Sequence, residues 1–226
     1  QDQTLSFLLP NYQLALNLQG LSSNPVELTG EVMNQALALQ EAVKANNLIA
    51  SRIIHQSRAI ISYYMGEYRE ALAALKDDGR VGANVITSYA QSYIDLVGCL
   101  TALALARVKS RRYFKRVARK HYIGLAKIAK FGQGTMLNRT CLVEAEFAAL
   151  DGNTELALGY FKKSIEYAES AGIVSEQALA CELAGKALHV AGRESEARAY
   201  LVQARCQYEA WGALGKVQQL ETTWGK

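Results

Sequence analysis

From Cys141 to Gly212 the apolar positions recur every three or four residues, broken at short polar turns. LVEAEFAALDGNTELALGYFKKSIEYAESAG is followed by ALACELAGKALHVAGRESEARAYLVQARCQYEAWG, and the two align on Gly152 and Gly192. Seven residues before each glycine stands a small residue, Ala145 or Gly185. Five after stands Ala157 or Ala197, nine after Phe161 or Leu201, and twelve after Ser164 or Ala204. Gly66 opens a third copy with Ala59, Ala71 and Leu75, but Asp78 takes the last small place. Small residues let two helices approach, a bulky one fills the groove beside the crossing, and glycine permits the turn. Such hairpins cannot bury their faces alone and are expected to stack.

The same periodicity, carried along the chain, predicts the remaining elements. A short helix is expected near Asn11 to Leu18 and a loop from Gly20 to Pro25. Thr29 is placed to cap a helix from Gly30 to Ala45, with Val32, Ala36, Leu39 and Val43 as its apolar stripe. Helices are expected over 47–65, from Gly66 to Lys76, over 83–108 and over 111–131, with DDGRVG and FGQG as breaks and a turn at Lys109 and Ser110. The last third gives Met136–Leu150, Thr154–Ala171, Ser175–Ala191 and Glu194–Trp211, then a terminal helix over 214–222 that covers the end of the stack. The expectation is one all-α domain, an α-solenoid of antiparallel hairpins over 30–78, 83–131, 136–171 and 175–211, wound as a right-handed superhelix.

Composition agrees with that pattern. Half of the 226 residues are hydrophobic, and both prolines lie in the first 25. The longest apolar run, Leu96 to Ala106, is 11 residues, too short for a bilayer, which needs about 20. Cys99, Cys141, Cys181 and Cys206 lack C-x-x-C spacing and read as small buried hydrophobes of the cytoplasm or another reducing compartment.

Charge changes the picture. No acidic residue lies between Asp95 and Glu144, where 11 Lys and Arg occur; elsewhere 14 basic face 21 acidic residues, a net −7. On a helix from Arg111 to Phe131, the residues Phe114, Val117, Ala118, His121, Tyr122, Leu125, Ile128 and Ala129 share one face. Arg112, Lys115, Arg116, Arg119, Lys120, Lys127 and Lys130 share the other and are the candidate binding residues. Such a strip suits a protein partner with an acidic surface; nucleic acid or anionic lipid is the alternative, and a plain solvated face is the third reading. No nucleic-acid fold motif accompanies it.

Chemistry points to a binding protein and not an enzyme. His55, His121 and His189 stand alone, without a second His or Cys at metal-ligand spacing. There is no P-loop, no G-x-S-x-G and no kinase signature, and Glu144 and Glu146 point different ways on their helix. No cofactor is called for.

The glycine-centred pattern resembles the tetratricopeptide repeat, with a period near 40 instead of 34 and without its closing proline. LALNLQGLSSNPVELTGEV, SYYMGEYREAL and the run from Leu142 to Glu221 are similar to the helical-repeat region of very large signalling proteins. Those proteins join a kinase-like domain and an AAA-type ATPase to this region, followed by a GAF domain and a histidine kinase. The resemblance implies a non-catalytic scaffold for signalling or complex assembly and carries over no active-site residue.

Overall fold

The computed structural model describes residues 3–80, 88–129 and 136–224. They form eleven α-helices and no strand: α1 (Gln3–Leu18), α2 (Gln35–Lys44), α3 (Leu48–Tyr64), α4 (Tyr68–Arg80), α5 (Ser88–Val108), α6 (Arg111–Ala129), α7 (Leu137–Leu150), α8 (Thr154–Ser170), α9 (Val174–Val190), α10 (Glu194–Trp211) and α11 (Leu214–Trp224). The protein is all-α. Of the expected break DDGRVG, 77–82, residues 77–80 are helical, a correction; 81–82 and FGQG fall outside the described residues, as do the expected helix start at 83 and end at 131.

Helices pair in chain order, α3 with α4, α5 with α6, α7 with α8 and α9 with α10. The odd-numbered helices also touch in succession, α1 to α3, α3 to α5, α5 to α7 and α7 to α9, so they make a continuous row. The aligned glycines make the turns for a backbone reason. Gly66, Gly152 and Gly192 have φ of 86°, 81° and 76°, the left-handed region that costs a side-chain-bearing residue most. At Gly152 the Asn153 amide donates to the Ala148 carbonyl (2.9 Å) and the Gly152 amide to Ala149 (3.1 Å), which satisfies the orphan carbonyls of α7. Asn47 and Asn153 then cap the next helix through the Ala50 and Leu156 amides.

The repeat offsets describe real contacts. A Cβ on Gly185 would lie 2.7 Å from Leu201 Cγ and 3.1 Å from the Ala197 carbonyl, so two aligned positions close on the third. Ala145, Ala157, Phe161 and Ser164 are all buried in the α7–α8 hairpin. Asp78, the misfit of the third copy, is buried against Arg52, whose Nε donates to it at 3.0 Å, and against Gln56 at 3.2 Å. Arg52 stands fourteen residues before Gly66, where the other copies have Asn138 and Ala178. Ser164 donates to the Asn138 carbonyl (2.8 Å), and Ala178 and Ala204 are both fully buried. The aligned positions thus hold an ion pair in one copy, a hydrogen bond in the next and two buried alanines in the third. The α5–α6 hairpin turns at Ser110 (φ 45°), with Gly98, Cys99 and Ala118 as its close-packed positions.

Three expectations near the N-terminus are corrected. The first helix begins well before Asn11 and contains Pro10; the Asn11 side-chain Nδ2 donates to the Phe7 carbonyl at 2.9 Å, close to the missing proline N–H. Thr29 does not cap α2. Asn34 does, accepting from the Leu37 amide, while Thr29 accepts from the Gln35 amide at 3.2 Å from across the loop. The helix after Gly66 also runs past Lys76 to Arg80, which keeps Asp78 on its inner side.

Helix α11 covers α10 and also reaches α1. There Gly20 and Gly215 approach so closely that a Cβ on Gly215 would lie 2.7 Å from the Gly20 nitrogen. Lys216 is buried beside them and donates to the Tyr64 carbonyl (2.7 Å), Glu182 (2.9 Å) and Gln219 (2.7 Å).

Candidate functional site

Two surfaces carry features that packing within the chain does not use. The first is a groove of about 550 Å³ to which all the odd helices from α1 to α9 contribute. Phe7, Leu14 and Leu18 come from α1, Ile49, Ile53 and Ile60 from α3, and Tyr93 and Ile94 from α5. Ile173 and Trp211 also line it. The helical spacing of these residues puts the apolar stripe of each helix on the shared side.

Polar groups in the groove wall hold one another. Ser57 donates to Asn11 at 3.3 Å, and Arg52 and Gln56 hold Asp78. Arg139 donates to Glu176 from Nε (2.9 Å) and Nη2 (2.6 Å), also bonds Ser92, and lies 5.1 Å from the centre of the Tyr93 ring. The Arg139–Glu176 pair is almost fully buried, so it fixes where α7 and α9 meet. A volume near 550 Å³ lies within the range of about 300–1,000 Å³ typical of ligand sites. Its make-up suits an apolar partner surface with a few hydrogen bonds.

The second surface is α6. Phe114, Ala118 and Leu125 are buried against α5, and Val117, His121, Tyr122, Ile128 and Ala129 are half-buried, as the expected apolar face requires. Of the candidate binding residues, Arg112, Arg116, Arg119, Lys120 and Lys127 point outward and have no ion pair among the described residues. Arg116 lies over the Tyr113 ring at 5.8 Å. Lys130 lies outside the described residues. Lys115 pairs within the chain: its ammonium lies 2.7 Å from Asp151, which Arg111 also binds at 2.9 Å. Hydrogen bonds from Lys115 and Arg111 hold the Asp151 carboxyl below its usual range. That acid stands 36 residues further on in a turn, so helical periodicity within α6 could not reveal it. Tyr113 and Ile123, not singled out from the sequence, share the outward face and are 48% and 57% exposed. Their signal was their spacing among the cations.

Elsewhere, two of the histidines pair within the chain. His121 Nδ1 lies 3.0 Å from Asp95 Oδ1, and His189 Nδ1 lies 2.9 Å from Glu194. Burial pushes the Cys99 thiol well up, the Cys141 thiol up and the Cys181 thiol up to about 12, away from the reactive thiolate. Cys99 and Cys181 are buried as expected, whereas Cys141 is half-buried and Cys206 exposed, a correction to the uniform reading. Among the described residues, no three His, Cys, Asp or Glu gather as metal ligands, and no helix is long and apolar enough to cross a membrane.

One cluster of three charged groups is internal. Glu182 is held by Lys186 (2.6 Å), Lys216 (2.9 Å) and the Tyr208 hydroxyl (2.7 Å). Burial works against its carboxylate, but Lys186 and Lys216 overcome it and bring its pKa down to about 2. Compared with protein-family profiles, curated proteins and solved structures, the chain matches none.

Proposed function

We propose that this chain is a non-catalytic helical-repeat scaffold, a tetratricopeptide-like solenoid that binds other proteins in signalling or complex assembly. The observation that carries this reading is the groove along the odd helices. It keeps Phe7 and Trp211 47% and 37% exposed beside buried ion pairs that set its shape. An apolar wall on a framework of that kind is prepared for a segment of another protein, because association removes the wall from water without first ordering the site. The mechanism proposed is alignment of a partner along this wall, without bond chemistry.

A photo-crosslinking side chain placed at Ile53, with a control at exposed Val190, tests the assignment. A protein partner from the native source crosslinks at position 53, and Ile49→Glu abolishes the product. Equal crosslinking at both positions, or a product unaffected by Ile49→Glu, overturns it.

A further inference from the structure

On α6 the outward residues Tyr113, Arg116, Lys120, Ile123 and Lys127 follow one another at intervals of three, four, three and four. That is the spacing of a row along which a second helix can lie, at roughly 8–10 Å between axes. Arg112 and Arg119 flank the row on the same side. Five cations face out without an ion pair among the described residues, and two exposed apolar side chains interrupt them ten residues apart, about 15 Å along the helix.

We propose that this face docks an acidic amphipathic helix of a protein partner. Its carboxylates meet Arg112, Arg116, Arg119, Lys120 and Lys127, and its apolar side chains cover Tyr113 and Ile123. Charge decides the sign of the partner, since the strip belongs to a stretch without acidic residues in a chain otherwise net negative. The apolar pair decides its class. A phosphate backbone offers Ile123 nothing to pack against, whereas a partner helix offers side chains at matching spacing.

Width argues the same way. Asp151 neutralises the edge beside Arg111 and Lys115, and the exposed charges of α8 are mixed, Glu155, Glu166 and Glu169 with Lys162 and Lys163. The free cations therefore lie along one helix, about 10 Å across, the width of a single partner helix. This face lies on α6, outside the groove of the odd helices, and stands independently of the function assigned to that groove.

The test uses two synthetic helical peptides of about 21 residues, six turns, with the same Glu and Leu content. One carries two Leu ten residues apart within its acidic face; the other carries them on the opposite face. At about 0.15 M salt the first binds at least roughly tenfold tighter. The triple variant Arg112→Glu, Arg116→Glu, Arg119→Glu loses binding of both. Ile123→Ser brings the two affinities together, and neither variant alters crosslinking at position 53. Equal affinity of the two peptides for the unaltered protein overturns the proposal. So does tighter binding of a DNA duplex or of phosphatidylserine vesicles than of the first peptide, and so does failure of both peptides to bind. Lost crosslinking at 53 with intact peptide binding overturns the groove assignment alone.

Discussion

The Lys216 ammonium donates to the Tyr64 carbonyl at 2.7 Å, joining residues 152 positions apart. Tyr64 ends α3 and Lys216 lies in the first turn of α11, so one hydrogen bond ties an orphan helix-end carbonyl to the last helix. Burial, opposed by Glu182, pushes the Lys216 pKa down to about 8. Lys216→Met removes this donor and one of the two ammonium groups on Glu182. Breaking a buried pair costs about 3–5 kcal/mol, and Lys186 keeps the loss towards the lower end. Urea denaturation measures it.

Glu182 sets a pH dependence. Its folded pKa of about 2 lies below its ordinary 4.5, so its stabilisation is present above 4.5 and is lost as pH falls from there towards 2. The full effect is roughly 3 kcal/mol, from about 1.4 kcal/mol per pKa unit. Urea titrations between neutral pH and pH 2.5 should show a steeper loss for the unaltered protein than for Glu182→Gln. Parallel curves would remove Glu182 from the account.

Arg52 and Asp78 should behave as a unit. Asp78→Ala leaves the buried Arg52 guanidinium without that carboxylate and is expected to cost about 3 kcal/mol or more. The double variant Arg52→Ala, Asp78→Ala reproduces the Ala178 and Ala204 arrangement and should cost less than Asp78→Ala alone. A double-mutant cycle by chemical denaturation reads the difference.

Two helical glycines should respond with opposite signs. Nothing lies within 4 Å of a Cβ at Gly159, so Gly159→Ala should stabilise by about 0.5–1 kcal/mol through helix propensity. At Gly185 the new methyl group meets Leu201 and the Ala197 carbonyl, and Gly185→Val should destabilise by about 1–3 kcal/mol. Thermal unfolding of the two variants checks both signs.

At the contact of α1 with α11, Gly215→Ala places a methyl group against the Gly20 backbone, which cannot rotate away. Amide hydrogen exchange should rise over α1 and α11 while α7 to α10 stay protected. Protection unchanged at α1 would show that the contact contributes nothing to its stability.

Features governed by local spacing were legible in the sequence. Turn glycines, small crossing residues and the α6 faces follow from helical geometry, and the helices of the last third begin and end within two residues of expectation. What escaped depends on residues far apart in the chain. Asp78 read as a defect because Arg52 lies a hairpin arm away, and Lys115 read as a free cation because Asp151 belongs to another turn. Thr29 lost the cap of α2 to Asn34 because the loop folds back, a matter of tertiary packing. Along α6, charge alone marked the strip, and its division into a neutralised edge and a free row needed coordinates.

The aligned positions held by Arg52 with Asp78, by Asn138 with Ser164 and by Ala178 with Ala204 have a bearing on how such a chain diversifies. The Arg52–Asp78 solution needs side chains from both arms of its own turn. Grafting α4 behind α7 would set the Asp78 carboxylate against Asn138, with no guanidinium to receive it, whereas moving α3 and α4 together transplants a matched lock and key. Recombination can therefore trade whole arches in this protein, but not single rods.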